Sequence, residues 1–313
     1  MANLAVVILT YNEELHIARA LNSVRGFARE LFVVDSFSQD RTVDLARQFG
    51  ATIFQHKFET QSAQLDWALQ HITMQSEWIM RLDADEVIAP DLAESIEVRL
   101  QQLPSDVCGV NLMRKHIFMG RWIRFGGRYP LILLRIWRRG TARVENRWMD
   151  EHMLLTCGRT VTFHGGFSDY NLHGLTHFTN KHNSYATREA IDILCERHNF
   201  VPTRLSLESN RASTQAAVKR MIKVNVYNRL PFWLSAPLYF IFRYVVQFGF
   251  LDGIEGLIYH FLQGCWYRFL VGAKVLEYER ALAGLTKESD IVTRLSEMTG
   301  YSVNSNVQSA GKE

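Results

Sequence analysis

At 313 residues and 47% hydrophobic side chains, the chain is long enough for one substantial core and a smaller appendage. A formal net charge of +3, with no basic run interleaved with aromatics, leaves no electrostatic footprint for nucleic-acid binding. Cys108, Cys157, Cys195 and Cys265 lie far apart with no C-x-x-C pair, so neither a zinc knuckle nor a disulfide framework is indicated and reduced, cytosolic thiols are expected.

The first segment, Leu4 to Leu9, is an uninterrupted apolar run that predicts a buried strand; the residues before it lack the basic region and cleavage site of a signal peptide. A helix from about Glu14 to Val24 follows. Leu31 to Val34 then reads as a strand ended by Asp35, and Arg41 to Phe49 as a helix stopped by Gly50. Ala51 to Phe54 is a third strand. Ser62 to Ile72 is a helix with Leu65, Ala68, Leu69 and Ile72 on one stripe. This alternation of apolar strands with amphipathic helices predicts an α/β fold, a mostly parallel sheet covered by helices on both faces.

The next strand, Trp78 to Asp83, runs into three carboxylates, Asp83, Asp85 and Glu86. A spacing of two turns Asp83 and Asp85 to the same side of a strand. Such a pair suits a hard divalent cation that takes its remaining ligands from water and substrate phosphates; the other reading is a solvated acidic turn leading into Pro90. In open α/β sheets ligands bind beyond the carboxyl ends of the strands. Thr10-Tyr11-Asn12-Glu13, Asp35-Ser36 and Asp83-Ala84-Asp85 all fall at such ends, and their convergence on one crevice favours the metal reading. A dinucleotide-binding fingerprint is absent, because the first glycine of the chain is Gly26.

Beyond Pro90 a helix runs to about Leu100, followed by strand-like runs near Val107 to Met113 and Leu131 to Trp137. Between these runs, Phe125-Gly126-Gly127-Arg128-Tyr129-Pro130 has the glycine and proline content of a functional loop. Further on, Lys219, Arg220, Lys223 and Arg229 interleave with Val218, Met221 and Ile222 as a basic amphipathic stretch. The uncharged run Leu230 to Phe242 comes next. A spanning helix needs about 20 apolar residues. This run is broken by Pro231 and Pro237 and meets Arg243, whose burial at mid-bilayer costs about 2.5 to 3.5 kcal/mol, so an in-plane or re-entrant element is expected. Leu257, Ile258, Phe261, Leu262, Trp266 and Phe269 form a second apolar stripe, either docked as extra core or lying at a membrane interface. The chain turns polar from about Gly284. Three regions result: 1–200, a catalytic domain; 201–283, a membrane-associating helical region; and 284–313, a polar tail.

Three ordered motifs carry a resemblance. They are Val7-Ile8-Leu9-Thr10-Tyr11-Asn12-Glu13-Glu14, Val33-Val34-Asp35-Ser36-Phe37-Ser38-Gln39-Asp40-Arg41-Thr42, and Leu82-Asp83-Ala84-Asp85-Glu86. With Gly126 to Pro130, Arg135 to Gly140 and Asp150-Glu151-His152, the chain resembles the GT-A-fold, inverting nucleotide-sugar glycosyltransferases of family 2 that assemble bacterial polysaccharide and lipopolysaccharide. Leu251-Asp252-Gly253, Trp266 to Leu270 and Lys274 resemble the tail of a polysaccharide-assembly subgroup. Phe37 departs from the pattern, where the family usually has a small residue such as glycine.

The resemblance implies a GT-A domain with a C-terminal helical extension and roles for named residues. Thr10, Tyr11, Asn12 and Glu13 would line the nucleotide pocket, and Asp35 would accept from the base, commonly the N3–H of uracil, with Ser36 and Ala84 beside it. Asp83 would face the ribose or the water shell of the metal, and Asp85 would coordinate Mg²⁺ or Mn²⁺ on the diphosphate. A base must also deprotonate the acceptor hydroxyl. The family's base motif assigns that to Glu151, with Asp150 as the alternative; the competing reading is a surface ion pair with Arg143 or Arg147. His164, His173 or His177 could be a further metal ligand or a structural histidine. Gln64, on the third helix, could contact the nucleotide or remain solvated, and Arg128 could shape the acceptor side or brace its own loop.

The implied activity is transfer of a sugar from a nucleoside-diphosphate donor, UDP by family habit, to a hydroxyl of a lipid-linked glycan acceptor. The expected place is the cytoplasmic face of the bacterial inner membrane, with the protein bound peripherally. A nucleotidyltransferase would show a glycine-rich phosphate loop after the first strand, and Thr10 to Leu21 contains no glycine. A catalytically inactive sugar-nucleotide-binding scaffold is the alternative from another class.

Overall fold

The computed structural model describes residues 1–144, 153–197 and 230–301. Its described residues fall into two compact units, Met1–Gly174 with Gly249–Gly256, and Leu175–Phe248 with Leu257–Glu313. The first unit ends at Gly174, ahead of the expected boundary near residue 200, because the helix beginning at Leu175 buries its apolar stripe among the C-terminal helices.

In the first unit the strands are β1 (Leu4–Thr10), β2 (Glu30–Asp35), β3 (Thr52–Gln55), β4 (Trp78–Asp83), β5 (Glu86–Ile88), β6 (Val107–Phe118), β7 (Arg121–Ile123), β8 (Leu131–Arg138), β9 (Ala142–Val144), β10 (Met153–Leu155), β11 (Arg159–Thr162) and β12 (Phe167–Tyr170). The helices are α1 (Ile17–Val24), α2 (Thr42–Gln48), α3 (Gln61–His71) and α4 (Pro90–Arg99). The main sheet runs in the order β3-β2-β1-β4-β8-β6-β12-β5, with β7 and β11 on β6, while β9 and β10 form a separate antiparallel pair. Strands β3, β2, β1 and β4 are parallel; β8 joins β4 antiparallel.

β1 is an apolar run because both its faces are covered. Leu4, Val6 and Ile8 pack with Ile17, Leu21 and Val24 of α1 and with Leu92 and Ile96 of α4. Ala5 and Val7 pack on the other side with Leu65 and Ala68 of α3. That helix starts at Thr60, whose Oγ1 accepts from the Ala63 N–H at 3.1 Å, and of its predicted stripe Leu65, Ala68 and Ile72 are buried and Leu69 is half-buried.

The far half of the sheet is curled, and chain connectivity requires it. β4 and β5 lie four steps apart along the sheet path, which in a flat sheet is about 19 Å. Ala84 and Asp85 alone join them, and the three peptide steps from Asp83 to Glu86 span at most about 10 Å. The path β4-β8-β6-β12-β5 therefore bends back on itself, and the Asp83 N–H reaches across to Glu86 Oε2 at 3.0 Å.

The second unit consists of α5 (Leu175–Arg197), α6 (Phe232–Ile241), α8 (Tyr267–Leu282) and α9 (Glu288–Thr299), with α7 (Gly253–His260) leading into it and π-helical turns at Phe242–Val246 and Phe261–Trp266. Ala190, Ile191 and Leu194 pack with Val275, Tyr278 and Leu282 and with Ile291 and Leu295. The expected polar tail thus contains a helix, α9, whose two i,i+4 apolar residues are buried and whose end is capped by Gly300 at φ 72°. Among the described residues no single helix is long and apolar enough to cross a membrane; Phe232–Val246 and Gly249–Leu282 pass that test together, bent by 74°. The basic amphipathic stretch around Lys219 to Arg229 lies outside the described residues.

Candidate active site

The ends of β1 and β2 are laced together. Thr10 Oγ1 donates to Asp35 Oδ1 at 3.0 Å, and the Ser38 N–H donates to Asp35 Oδ2 at 2.8 Å. The Asn12 N–H donates to Ser38 Oγ and Asn12 Oδ1 accepts from the Gln39 N–H, while the Glu13 N–H donates to Thr42 Oγ1. Asp35 is fully buried by this lattice. Asn12 and Phe37 both adopt left-handed backbone, at φ 55° and 61°. For Asn that is ordinary; for Phe it explains why a glycine suits this position. Tyr11 and Phe37 stand 58% and 53% exposed at this edge.

Gln64 is buried. Its Nε2 donates to Ser36 Oγ at 2.8 Å, and its Oε1 pairs with His56 Nδ1 at 3.2 Å, so it braces the β2 end. His16 is buried as well. Its Nε2 accepts from the Leu172 N–H at 2.9 Å, which places the proton on Nδ1, 2.6 Å from Glu13 Oε2.

Asp83 and Asp85 differ in their surroundings. Asp85 Oδ2 accepts from Asn171 Nδ2 at 3.2 Å, and its carbonyl accepts from the Tyr170 N–H. Asn171 Oδ1 in turn accepts from the His173 N–H, so His173 shares the turn anchored on Asp85. His164 is exposed beyond β11, and His177 belongs to α5 in the second unit. Asp83 is held by Arg81 Nε at 3.2 Å and Arg135 Nη2 at 3.1 Å.

Inside the curled half of the sheet lies an ionic cluster that sequence reading missed. Arg135 Nη2 also contacts Glu86 Oε1 at 2.5 Å, and Arg114 Nη1 lies 3.3 Å from the same oxygen. Asp169 pairs with His116 Nδ1 at 3.1 Å and Arg114 Nη2 at 3.6 Å. Burial would raise Asp83, but the charges of Arg81 and Arg135 outweigh it and hold the carboxyl well below the ordinary range. Asp169 is also held low, His116, Arg114 and Arg128 overcoming its burial. Glu86 goes the other way: burial, helped by the charge of Asp83, pushes it up to about 7 against the pull of Arg135. Arg135 was visible in the Arg135-Ile136-Trp137 motif, but only the antiparallel pairing of β8 with β4 brings it to Asp83.

On the third side, Gly126 and Gly127 take left-handed backbone at φ 64° and 69° within the loop that follows β7. Asp150 and Glu151 fall between β9 and β10, outside the described residues.

Among the described residues, no group of three or more His, Cys, Asp or Glu side chains gathers as a metal cage. A single strand-end carboxylate with a second beside it fits a cation that draws its other ligands from a diphosphate and water, and does not fit an all-protein site.

Residues 5–169, more than half of the chain, match the model of Glycosyl transferase family 2, and the chain belongs to that family. The fold is GT-A, and the activity of the family is glycosyl transfer. An uncharacterized glycosyltransferase of Rickettsia typhi is 27% identical over 289 residues, 88% of each chain. The glycosyltransferase SunS of Bacillus phage SPbeta is 34% identical over 86 residues, 27% of this chain and 20% of its own. Among solved structures, glucosyl-3-phosphoglycerate synthase from Mycobacterium tuberculosis, crystallised with Mn²⁺, uridine diphosphate and glucosyl-3-phosphoglycerate, is 20% identical at a TM-score of 0.31. That match covers 36% of this chain and 44% of the synthase.

Proposed function

We propose that this glycosyltransferase moves a sugar, with inversion, from a nucleoside-diphosphate donor to a hydroxyl of a lipid-linked glycan, in bacterial polysaccharide or lipopolysaccharide assembly at the cytoplasmic face of the inner membrane. One observation carries the reading: Thr10, Asp35, Asp83 and Asp85 stand at the carboxyl ends of three adjacent parallel strands, β2, β1 and β4.

Tyr11, Asn12 and Glu13 flank the nucleoside, and Asp35, exposed by movement of the Phe37–Ser38 turn, accepts a base N–H. Uracil offers such a donor at N3, as thymine does, and UDP is preferred as the carrier by family habit. Asp85, with Asp83 beside it, would hold Mg²⁺ or Mn²⁺, which when bound neutralises charge on the departing diphosphate. Glu151, or Asp150 next to it, takes the proton of the acceptor hydroxyl as that oxygen attacks the anomeric carbon from the face opposite the leaving group. Arg81 and Arg135 keep Asp83 ionised, so it stays a carboxylate beside Asp85 across the physiological range.

Support for the membrane contact lies in the helical region. Trp233, Leu234, Leu238, Ile241 and Phe242 of the segment starting at α6 are exposed, a pattern suited to lying in a lipid interface.

Calorimetric titration with UDP, GDP and dTDP, with and without Mn²⁺, tests the donor class. Metal-dependent binding of one nucleotide, lost in Asp85→Ala with the melting temperature retained, supports the enzyme. Binding that survives without metal and in Asp85→Ala would overturn the metal role and favour a sugar-nucleotide-binding scaffold.

A further inference from the structure

The Leu251-Asp252-Gly253 motif lies far in sequence from the catalytic motifs, yet the Gly249–Gly256 segment folds as part of the first unit. Asp252 is buried there, and its carboxylate grips the loop after β7: Oδ1 accepts from the Arg124 N–H at 3.1 Å and Oδ2 from the Phe125 N–H at 2.9 Å. One carboxylate holding two successive amides fixes both position and direction of that backbone. Arg121 Nη2 adds a bond to the Leu251 carbonyl at 3.4 Å.

The glycines of the segment are demanded by the same grip. Gly253 has φ 73°, and a Cβ there would stand 3.0 Å from Arg121 Nη1. At Gly256 a Cβ would come within 2.5 Å of the Asp252 Cβ and 2.9 Å of the Gly249 carbonyl oxygen. The segment is therefore shaped to present Asp252.

Its outward side is apolar: Leu251 is 50% and Ile254 61% exposed, and Arg121 and Arg124 on the gripped loop are exposed as well. Arg121 pairs with Glu255 Oε2 at 3.8 Å, so Arg124 is the guanidinium that this side offers, and apolar side chains beside an exposed guanidinium complement an anionic lipid surface. The chain before and after the segment continues into the helical unit.

We propose that Asp252 is a positioning residue that couples membrane contact to the acceptor side of the site. Leu251 and Ile254 enter an anionic bilayer surface, and Asp252 transmits that anchoring to the loop Trp122–Pro130, ordering it where a lipid-linked acceptor arrives. This rests on the membrane reading above.

Hydrogen exchange followed by mass spectrometry on the full chain, with vesicles of phosphatidylethanolamine and phosphatidylglycerol or of phosphatidylcholine alone, tests it. Wild type is expected to bind the anionic vesicles, slowing exchange over residues 122–130 by about tenfold, and not to bind phosphatidylcholine. Leu251→Ser with Ile254→Ser weakens vesicle binding by about tenfold or more. Asp252→Ala retains vesicle binding and loses the slowing. Asp252→Asn, which keeps one acceptor oxygen, retains part of it and serves if the alanine variant fails to fold. Slowing that persists in both Asp252 variants, or wild-type vesicle binding without slowing, overturns the coupling while leaving the membrane reading intact. Failure of wild type to bind anionic vesicles overturns both.

Discussion

Replacing Arg135 with methionine removes the cation at the centre of the buried cluster while keeping an apolar stem of similar reach. Arg135 is buried, and its Nη2 serves both Glu86 Oε1 at 2.5 Å and Asp83 Oδ2 at 3.1 Å. Without it Glu86 keeps Arg114 at 3.3 Å and Asp83 keeps Arg81 at 3.2 Å, so neither carboxylate is abandoned. Breaking a buried pair by removing one partner costs about 3 to 5 kcal/mol, and the remaining guanidiniums place this case near the lower figure. The cost depends on pH in a defined sense. Glu86 is pushed up to about 7, so at pH 5.5 it is largely neutral and has less need of Arg135, whereas at pH 8 it is ionised. Urea unfolding at the two pH values should therefore show a larger loss at pH 8. In a double-mutant cycle with Glu86→Gln, the coupling should reach at least about 1 kcal/mol. A loss below about 1 kcal/mol, or the same loss at both pH values, would refute the assignment of Arg135 as the counter-ion of Glu86.

Glu151→Gln should leave metal-dependent nucleotide binding unchanged in calorimetry and abolish sugar transfer; lost nucleotide binding would contradict its role as base. Phe37→Gly should raise stability by about 0.5 to 1 kcal/mol in urea unfolding, because relief of left-handed strain of about 1 to 2 kcal/mol exceeds the entropic cost of glycine. A fall in stability would mean that the ring packs against something worth more than the strain. Since the pKa of Glu86 is raised on folding from 4.5 to about 7, the native state retains a proton that the unfolded chain has released, and stability falls as pH rises between those values. Glu86→Gln should remove that slope, worth up to about 3 kcal/mol, and an unchanged slope in the variant would show that another group carries it.

The parallel half of the fold was legible because its physics is local. β1 is apolar from Leu4 to Leu9 since both faces are covered, and the strands end at the polar edge formed by Thr10, Asp35 and Asp83. The curled half was not legible in that way. Nothing around Glu86-Val87-Ile88 announces that it pairs with β12, eighty residues later in the chain, and that pairing is what buries Glu86 beside Arg135. Gln64 was read as a nucleotide contact or a solvated side chain, whereas the fold buries it and uses it to tie Ser36 to His56. α9 escaped notice because Ile291 and Leu295 are two apolar residues in a polar stretch, enough to hold a helix only once Val275, Tyr278 and Leu282 are there to receive them.

The two-residue link between β4 and β5 sets a limit on how such an enzyme can diversify. Ala84-Asp85 works as a stitch that holds a rolled sheet shut, so lengthening it would loosen the roll and shift Asp85 in one stroke. The distance between Asp83 and Glu86 stays fixed by the closure of the sheet itself.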